Sequence, residues 1–339
     1  MAERILAFLD AEVARWSTVD DQLTSPLLSL RALVDAGGKR LRPAFCYWAF
    51  VGAGGDPDDP AVVDAGAALE LLHTMAIVHD DVMDGSDRRR GLPAVHREFV
   101  DRHQAAGWSG EARRFGEGVA ILVGDFAFVY ADMLLGGAPP AARAVFDELR
   151  LEVNVGQFLD LLGSVRGDAT PELARTICQY KSGRYTVERP LHLGAALVGP
   201  DRLAQLADPL SAYGGPLGEA FQLKDDLLGA FGDEDATGKP VGGDVREGKP
   251  TALFATARMR ASGAAATLLA ERFGAHDLSD QEVAAILQVF AETGARAEVE
   301  ALVDRLTEEA LAAAAALPLV EPARSELIAL AEFVVARST

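Results

Sequence analysis

Residues 65–84 read AGAALELLHTMAIVHDDVMD, an apolar run that ends in a cluster of carboxylates. Its apolar positions recur every three or four residues, the period of a helix with one face against a core. The same period runs through 61–79, 117–135, 143–162, 203–228, 281–292 and 296–316, and alternating strand-like runs bounded by turn signals are absent. Gly and Pro punctuate the chain at 52–60, 136–140, 198–201 and 232–250, and none of these stretches has the makeup of a domain linker. The expected fold is all-α, a single domain spanning 1–339 with about ten helices.

Composition agrees. Apolar residues make up 49% of the 339 and aromatic residues 7%, and a chain rich in Ala and Leu favours helix, since these lose little on entering one. A formal net charge of −19 excludes nucleic acid as a partner, because nothing would neutralise a run of phosphates. Cys46 and Cys178 have no Cys or His spacing around them that suggests zinc, and they read as reduced core thiols in a cytoplasmic protein. The N-terminus, MAERILAFLDAEVARW, is acidic and amphipathic, unlike a signal peptide. No continuous run reaches the 18 or more apolar residues of a membrane span, so the chain is not expected to be an integral membrane protein.

The acids are informative where they cluster. If the helix continues past His79, Asp80 and Asp84 lie one turn apart on one face, close enough to share a cation. Oxygen ligands of this kind suit Mg²⁺, which takes one or two carboxylates plus phosphates and water. With 28 aspartates, a DDxxD pattern arises by chance in about one chain in five, so it decides little alone. Its surroundings add weight. His73 lies two turns earlier on the same face, and Arg88-Arg89-Arg90-Gly91 follows directly. Guanidinium is the side chain best shaped to grip phosphate oxygens. A second apolar helix ends in Phe221-Gln222-Leu223-Lys224-Asp225-Asp226, with Gly229 where a third acid would stand. That pair would need help from Asp233 or water. The pairs Asp20-Asp21 and Asp58-Asp59 are assigned to solvated surface.

Basic residues cluster too. Gly37-Gly38-Lys39-Arg40-Leu41-Arg42-Pro43 places Lys39 and Arg42 in a glycine-led loop at a helix start, with Pro43 at the first helical position. The loop 237–251 carries Lys239 and Lys249 among glycines. It nearly matches a nucleotide-binding P-loop, but Pro250 stands where the hydroxyl is needed and no strand precedes it. A lid that brings lysines onto a bound diphosphate fits better. Lys181-Ser182-Gly183-Arg184 is too short to interpret by itself.

In this order the motifs resemble the trans-prenyltransferases, the isoprenyl diphosphate synthases. GKRLRP (38–43), HDDVMD (79–84), RRG (89–91), GQ..D (156–160), KS (181–182), FQLKDD (221–226) and GK…GD…GK.T (238–251) fall in register over about two-thirds of the chain. The resemblance implies an all-α barrel around a deep cavity, usually a homodimer, with three Mg²⁺ per site and Mn²⁺ able to substitute. It implies that Asp80 and Asp84 hold two metals on the allylic diphosphate with Asp81 in support, while Asp225, beside Asp226, takes the third from the other wall. Arg89, Lys181, Gln222, Lys239 and Lys249 would hold the allylic diphosphate, and Ser182 would be a further substrate-binding residue. Lys39, Arg42, His73 and Arg90 would hold isopentenyl diphosphate. Two departures stand out: Gly229 in place of an acid, and Ser182 where Thr is common.

The implied reaction breaks an allylic C–O bond, so metals and cations must stabilise negative charge on the departing diphosphate. The double bond of isopentenyl diphosphate then attacks the carbocation and a proton is lost, with water kept out. Product length depends on the floor beneath the acids, read as Leu72, Met75 and Ala76. None of these is aromatic, which points to a geranylgeranyl rather than a farnesyl product. A class I terpene cyclase would share DDxxD but has no use for GKRLRP and RRG. A catalytically silent subunit should have lost acids or basic ligands, and this chain keeps nearly all of them, with Gly229 the one foothold for that reading.

Overall fold

The structure, a computed structural model, describes residues 1–167, 169–232 and 241–336. It is all-α apart from one short hairpin. The chain groups into two compact units, residues 1–47 with 56–139, and 48–55 with 140 onward.

The first unit is built on α4, Pro60–Asp84. Asp59 starts it by accepting from the Ala61 amide at 2.8 Å, and Pro60 occupies the first turn, where no amide is needed. The pair Asp58-Asp59 thus includes a helix cap, as does Asp20, which accepts from the Gln22 amide at 2.8 Å. Gly85, with φ of 68°, ends α4 in the left-handed conformation that glycine adopts without penalty. Helix α6 (Ala112–Leu134) packs along α4. They approach closely because Gly124 has no side chain: a Cβ there would lie 2.0 Å from His79 Nε2. Helices α1 (Ala2–Ser17), α2 (Thr24–Asp35) and α5 (Val95–Ala105) complete the packing. By length and composition α4 could cross a membrane, but 67% of its apolar window is buried, which marks it as a core helix.

Helix α3, Leu41–Gly52, starts two residues earlier than expected. Arg42 therefore lies in a helical turn rather than in the preceding loop. Pro43 tolerates this because amides of the first turn have no intrahelical partner to lose. After α4 the chain forms a two-residue hairpin in which Arg88-Arg89 pairs antiparallel with Leu92-Pro93. Its corner, Arg90-Gly91, has positive φ at both residues (51° and 78°), as a type I′ turn requires.

The second unit contains α7 (Pro140–Arg166), α8 (Pro171–Ile177), a π-helical segment Cys178–Glu188, α9 (Arg189–Val198) and α10 (Pro200–Phe231). It continues through α11 (Gly243–Glu247), α12 (Ala252–Arg260), α13 (Gly263–Arg272), α14 (Asp280–Glu292), α15 (Ala295–Ala315) and α16 (Ala323–Val335). The periodic segments of the sequence correspond to α4, α6, α7, α10, α14 and α15. Cys46 and Cys178 are buried free thiols, and burial pushes Cys46 up to about 12.

The π-helical segment touches α7 and α10 backbone to backbone. A Cβ on Gly218 would lie 2.4 Å from the Gly183 carbonyl oxygen, and one on Gly156 would lie 2.2 Å from the Lys181 amide nitrogen. Backbone cannot step aside as a side chain can. Gly218→Ala should therefore lower stability by about 3 kcal/mol, read as a lower denaturant midpoint. An unchanged midpoint would show that these backbones do not meet.

Candidate active site

In the first unit, α4 carries Leu72, His73, Met75, Ala76, Asp80, Asp81 and Asp84. The three aspartates have different surroundings. Asp81 is 1% exposed and accepts from Arg89 Nε at 2.8 Å and from Arg89 Nη2. Asp80 and Asp84 are half-buried, with Arg89 Nη2 4.0 Å from Asp80. Asp81 thus anchors the guanidinium, and Arg89 stands beside the two acids that share a face. His79 is turned away, its Nε2 3.1 Å from the Ile121 carbonyl oxygen on α6. Leu72 is fully buried and Met75 nearly so, while Ala76 is partly open.

His73 lies among four guanidiniums. Burial, then Arg42, Arg90, Arg89 and Arg40, push its imidazole well below the ordinary range, so it is neutral at pH 7. The sequence-predicted residues His73, Arg42, Arg89 and Arg90 are therefore gathered in one place. Arg40 and Glu70 join them, and neither was singled out in the sequence. Glu70 is 2% exposed, and its Oε1 pairs with Arg40 Nη1 and with Arg90 Nη2 at 3.3 Å. A lone acid within an apolar helical run is the signal that could have found it, since a buried carboxylate requires a partner. Lys39 lies in the loop just before α3.

In the second unit, α10 carries Gln222, Asp225 and Asp226, and the π-helical segment carries Lys181 and Ser182. π-Helical turns are often found at functional sites. Lys181 Nζ is 2.6 Å from Asp160 on α7, and Asp160 is 7% exposed. Gln222 Nε2 donates to Asp226 at 2.7 Å. Burial raises Asp226 well above the usual carboxylate range, and the charges of Asp244, Asp225 and Asp160 add to this while Gln222 opposes it. A Cβ at Gly229 would lie 3.3 Å from Asp244 Oδ2, so Asp244 occupies the space a side chain at 229 would enter. Lys249 pairs with Glu247 at 2.5 Å and lies 4.0 Å from Asp244. Lys239 and Asp233 lie outside the described residues.

Among the described residues, no group of three or more His, Cys, Asp or Glu side chains could hold a metal alone. A hard cation takes one or two carboxylates and draws its remaining ligands from phosphate and water. The donors are all oxygen, and the crowded charges around Asp226 favour a cation. The residues therefore suit Mg²⁺.

The polyprenyl synthetase family profile matches residues 27–290. The chain belongs to the polyprenyl synthetase family.

Within this family the chain resembles proteins of several product lengths. A crystal structure of a geranylgeranyl pyrophosphate synthase from Corynebacterium glutamicum, complexed with isoprenyl diphosphate and magnesium, matches with a TM-score of 0.92. The identity is 38%, over 99% of this chain and 97% of that one. A geranylgeranyl diphosphate synthase of Mycobacterium tuberculosis is 36% identical over 89% of this chain and 81% of its own. A nonaprenyl diphosphate synthase of the same organism is 30% identical over 98% and 91%. This polyprenyl synthetase is thus an all-α enzyme of the trans-prenyltransferase class.

The depressed imidazole of His73 has a measurable consequence. Its folded-state value lies below the unfolded one, so the unfolded chain binds the proton first as pH falls. The stability this group contributes is complete above the ordinary histidine value of about 6.5 and is lost below it. Between pH 6 and 5, His73→Gln should therefore lose less stability than the parent, by up to about 1.4 kcal/mol per pH unit. Parallel denaturant titrations check this, and identical pH slopes would contradict it.

Proposed function

We propose that the enzyme condenses isopentenyl diphosphate with allylic diphosphates in a Mg²⁺-dependent reaction, works in the cytoplasm, and makes chiefly geranylgeranyl diphosphate. The observation that carries this reading is the group of guanidiniums around His73, in the same unit as Asp80 and Asp84. A cyclase handles one diphosphate and has no use for a second, metal-free anion site. A condensing enzyme must hold two.

In this reading Asp80 and Asp84 take two Mg²⁺ and Asp225 a third, with Mn²⁺ able to replace them. Asp244, whose Oδ2 fills the space beside Gly229, or water would supply the ligand that Gly229 cannot. Held there, the metals would supply positive charge against the departing diphosphate. Arg89, fixed by Asp81, and Lys181, fixed by Asp160, add positive charge at set positions, so little reorganisation is needed when charge develops. Ser182, Gln222, Lys239 and Lys249 support the same allylic diphosphate, Gln222 by orienting Asp226. Lys39, Arg42, His73 and Arg90 hold isopentenyl diphosphate. His73 is neutral there and can donate a hydrogen bond to phosphate through one ring nitrogen. No protein nucleophile is needed, and the released diphosphate is the base that takes the proton.

The product length rests on α4. Met75 and Ala76 are the residues below Asp80 whose size would limit the growing tail, and neither is aromatic. A homodimer is part of the same proposal. Helix α7 exposes Leu151, Val155, Phe158 and Val165 along one stripe, and α6 exposes Phe115, Leu122 and Val129 at seven-residue spacing. Faces of this kind suit a second copy of the chain.

Incubation with isopentenyl and farnesyl diphosphates and Mg²⁺ should release diphosphate and give a twenty-carbon alcohol after dephosphorylation. Chelation of the metal should abolish turnover. Met75→Phe should shift the product to fifteen carbons when the primer is dimethylallyl or geranyl diphosphate. An unchanged product would place the floor elsewhere, and a cyclic hydrocarbon would overturn the reading. Sedimentation of the same preparation should give twice the chain mass.

A further inference from the structure

Among the described residues, two other than glycine have positive φ, Arg40 and Arg90, both at 51°. Arginine adopts this conformation at a cost of about 1 kcal/mol or more, so each needs something to hold it. The end of α2 and Glu70 on α4 hold both. Arg40 Nη2 donates to the Val34 carbonyl at 2.6 Å, and Arg90 Nη1 donates to the Leu33 carbonyl at 2.9 Å. These carbonyls close α2, where the helix dipole favours cations. Both guanidiniums also converge on one oxygen, Oε1 of Glu70, buried in the middle of α4. Gly38 fits against the result, since a Cβ there would lie 3.2 Å from Arg90 Nη2.

Glu70 therefore ties two separate segments to α4: the loop that carries Gly38, Lys39 and Arg40 and leads into the first turn of α3 with Arg42, and the hairpin corner that carries Arg90. We propose that Glu70 is a positioning residue for the isopentenyl diphosphate site, acting through Arg40 and Arg90 and touching no substrate itself. This rests on the assignment of Lys39, Arg42 and Arg90 to that diphosphate. With the carboxylate in place, the guanidiniums are spaced before substrate arrives. Without it they repel one another, and binding must order them, which weakens affinity for that substrate alone.

Steady-state kinetics of Glu70→Gln test this with both substrates varied. The KM for isopentenyl diphosphate should rise about 10-fold or more, with kcat and the KM for the allylic diphosphate within about 2-fold. A general loss of structure would move all three together, and that result, or no change, would overturn the proposal. If Glu70→Gln does not melt cooperatively, Arg40→Gln is the second variant, and it should raise the same KM severalfold. An unchanged KM there would likewise overturn the proposal. Arg42→Gln separates the two levels of the argument. If it leaves the KM for isopentenyl diphosphate unchanged, the assignment of the site has failed. If it raises that KM while Glu70→Gln does not, only the role of Glu70 has failed.

Discussion

The last turn of α4 sets a charge problem that its surroundings must solve. Asp80, Asp81 and Asp84 stand at the negative end of a 25-residue helix, where each carboxylate opposes the helix dipole and repels the others. Arg89 offsets one of these charges by pairing with buried Asp81. Asp80 and Asp84 remain half-buried on the more open side. The end of α10 repeats the pattern. Asp226 is buried near Asp225, Asp160 and Asp244, and its carboxyl group resists ionisation there. Both places are costly for the protein alone and favourable once cations arrive.

The same division of labour runs through both units. Buried acids fix bases: Asp81 fixes Arg89, Asp160 fixes Lys181, and Glu70 fixes Arg40 and Arg90. Less buried acids, Asp80, Asp84 and Asp225, are the ones the proposed function assigns to metal. Removing one member of a buried pair strands the other charge, so these partners matter as much as the groups they orient. The arrangement resembles the outer ligands of metal sites, which hold the inner ones in place.

Much of this was legible in the sequence because it is local. A three- to four-residue apolar period marked α4, α6, α7 and α10, and the DDxxD spacing placed Asp80 and Asp84 on one face. The partners of the bases were less legible because pairing across 20 or more residues leaves no spacing to read. Asp160 stands 21 residues from Lys181, and Glu70 stands 20 from Arg90. Asp244 was visible only as part of a motif, and its place beside Gly229 emerged from folding. Arg42 was misplaced because proline was read as excluding helix before it, a rule that weakens in a first turn.

The proposed reaction requires that the two aspartate clusters serve one leaving group through bound cations. A double-mutant cycle with Asp80→Asn and Asp225→Asn, read in kcat/KM for the allylic diphosphate at saturating Mg²⁺, tests it most directly. Each single change should cost about 100-fold or more, and the double variant should fall far short of the product of the two, as groups acting as a unit do. Full turnover in the double variant, or losses that simply multiply, would contradict the account.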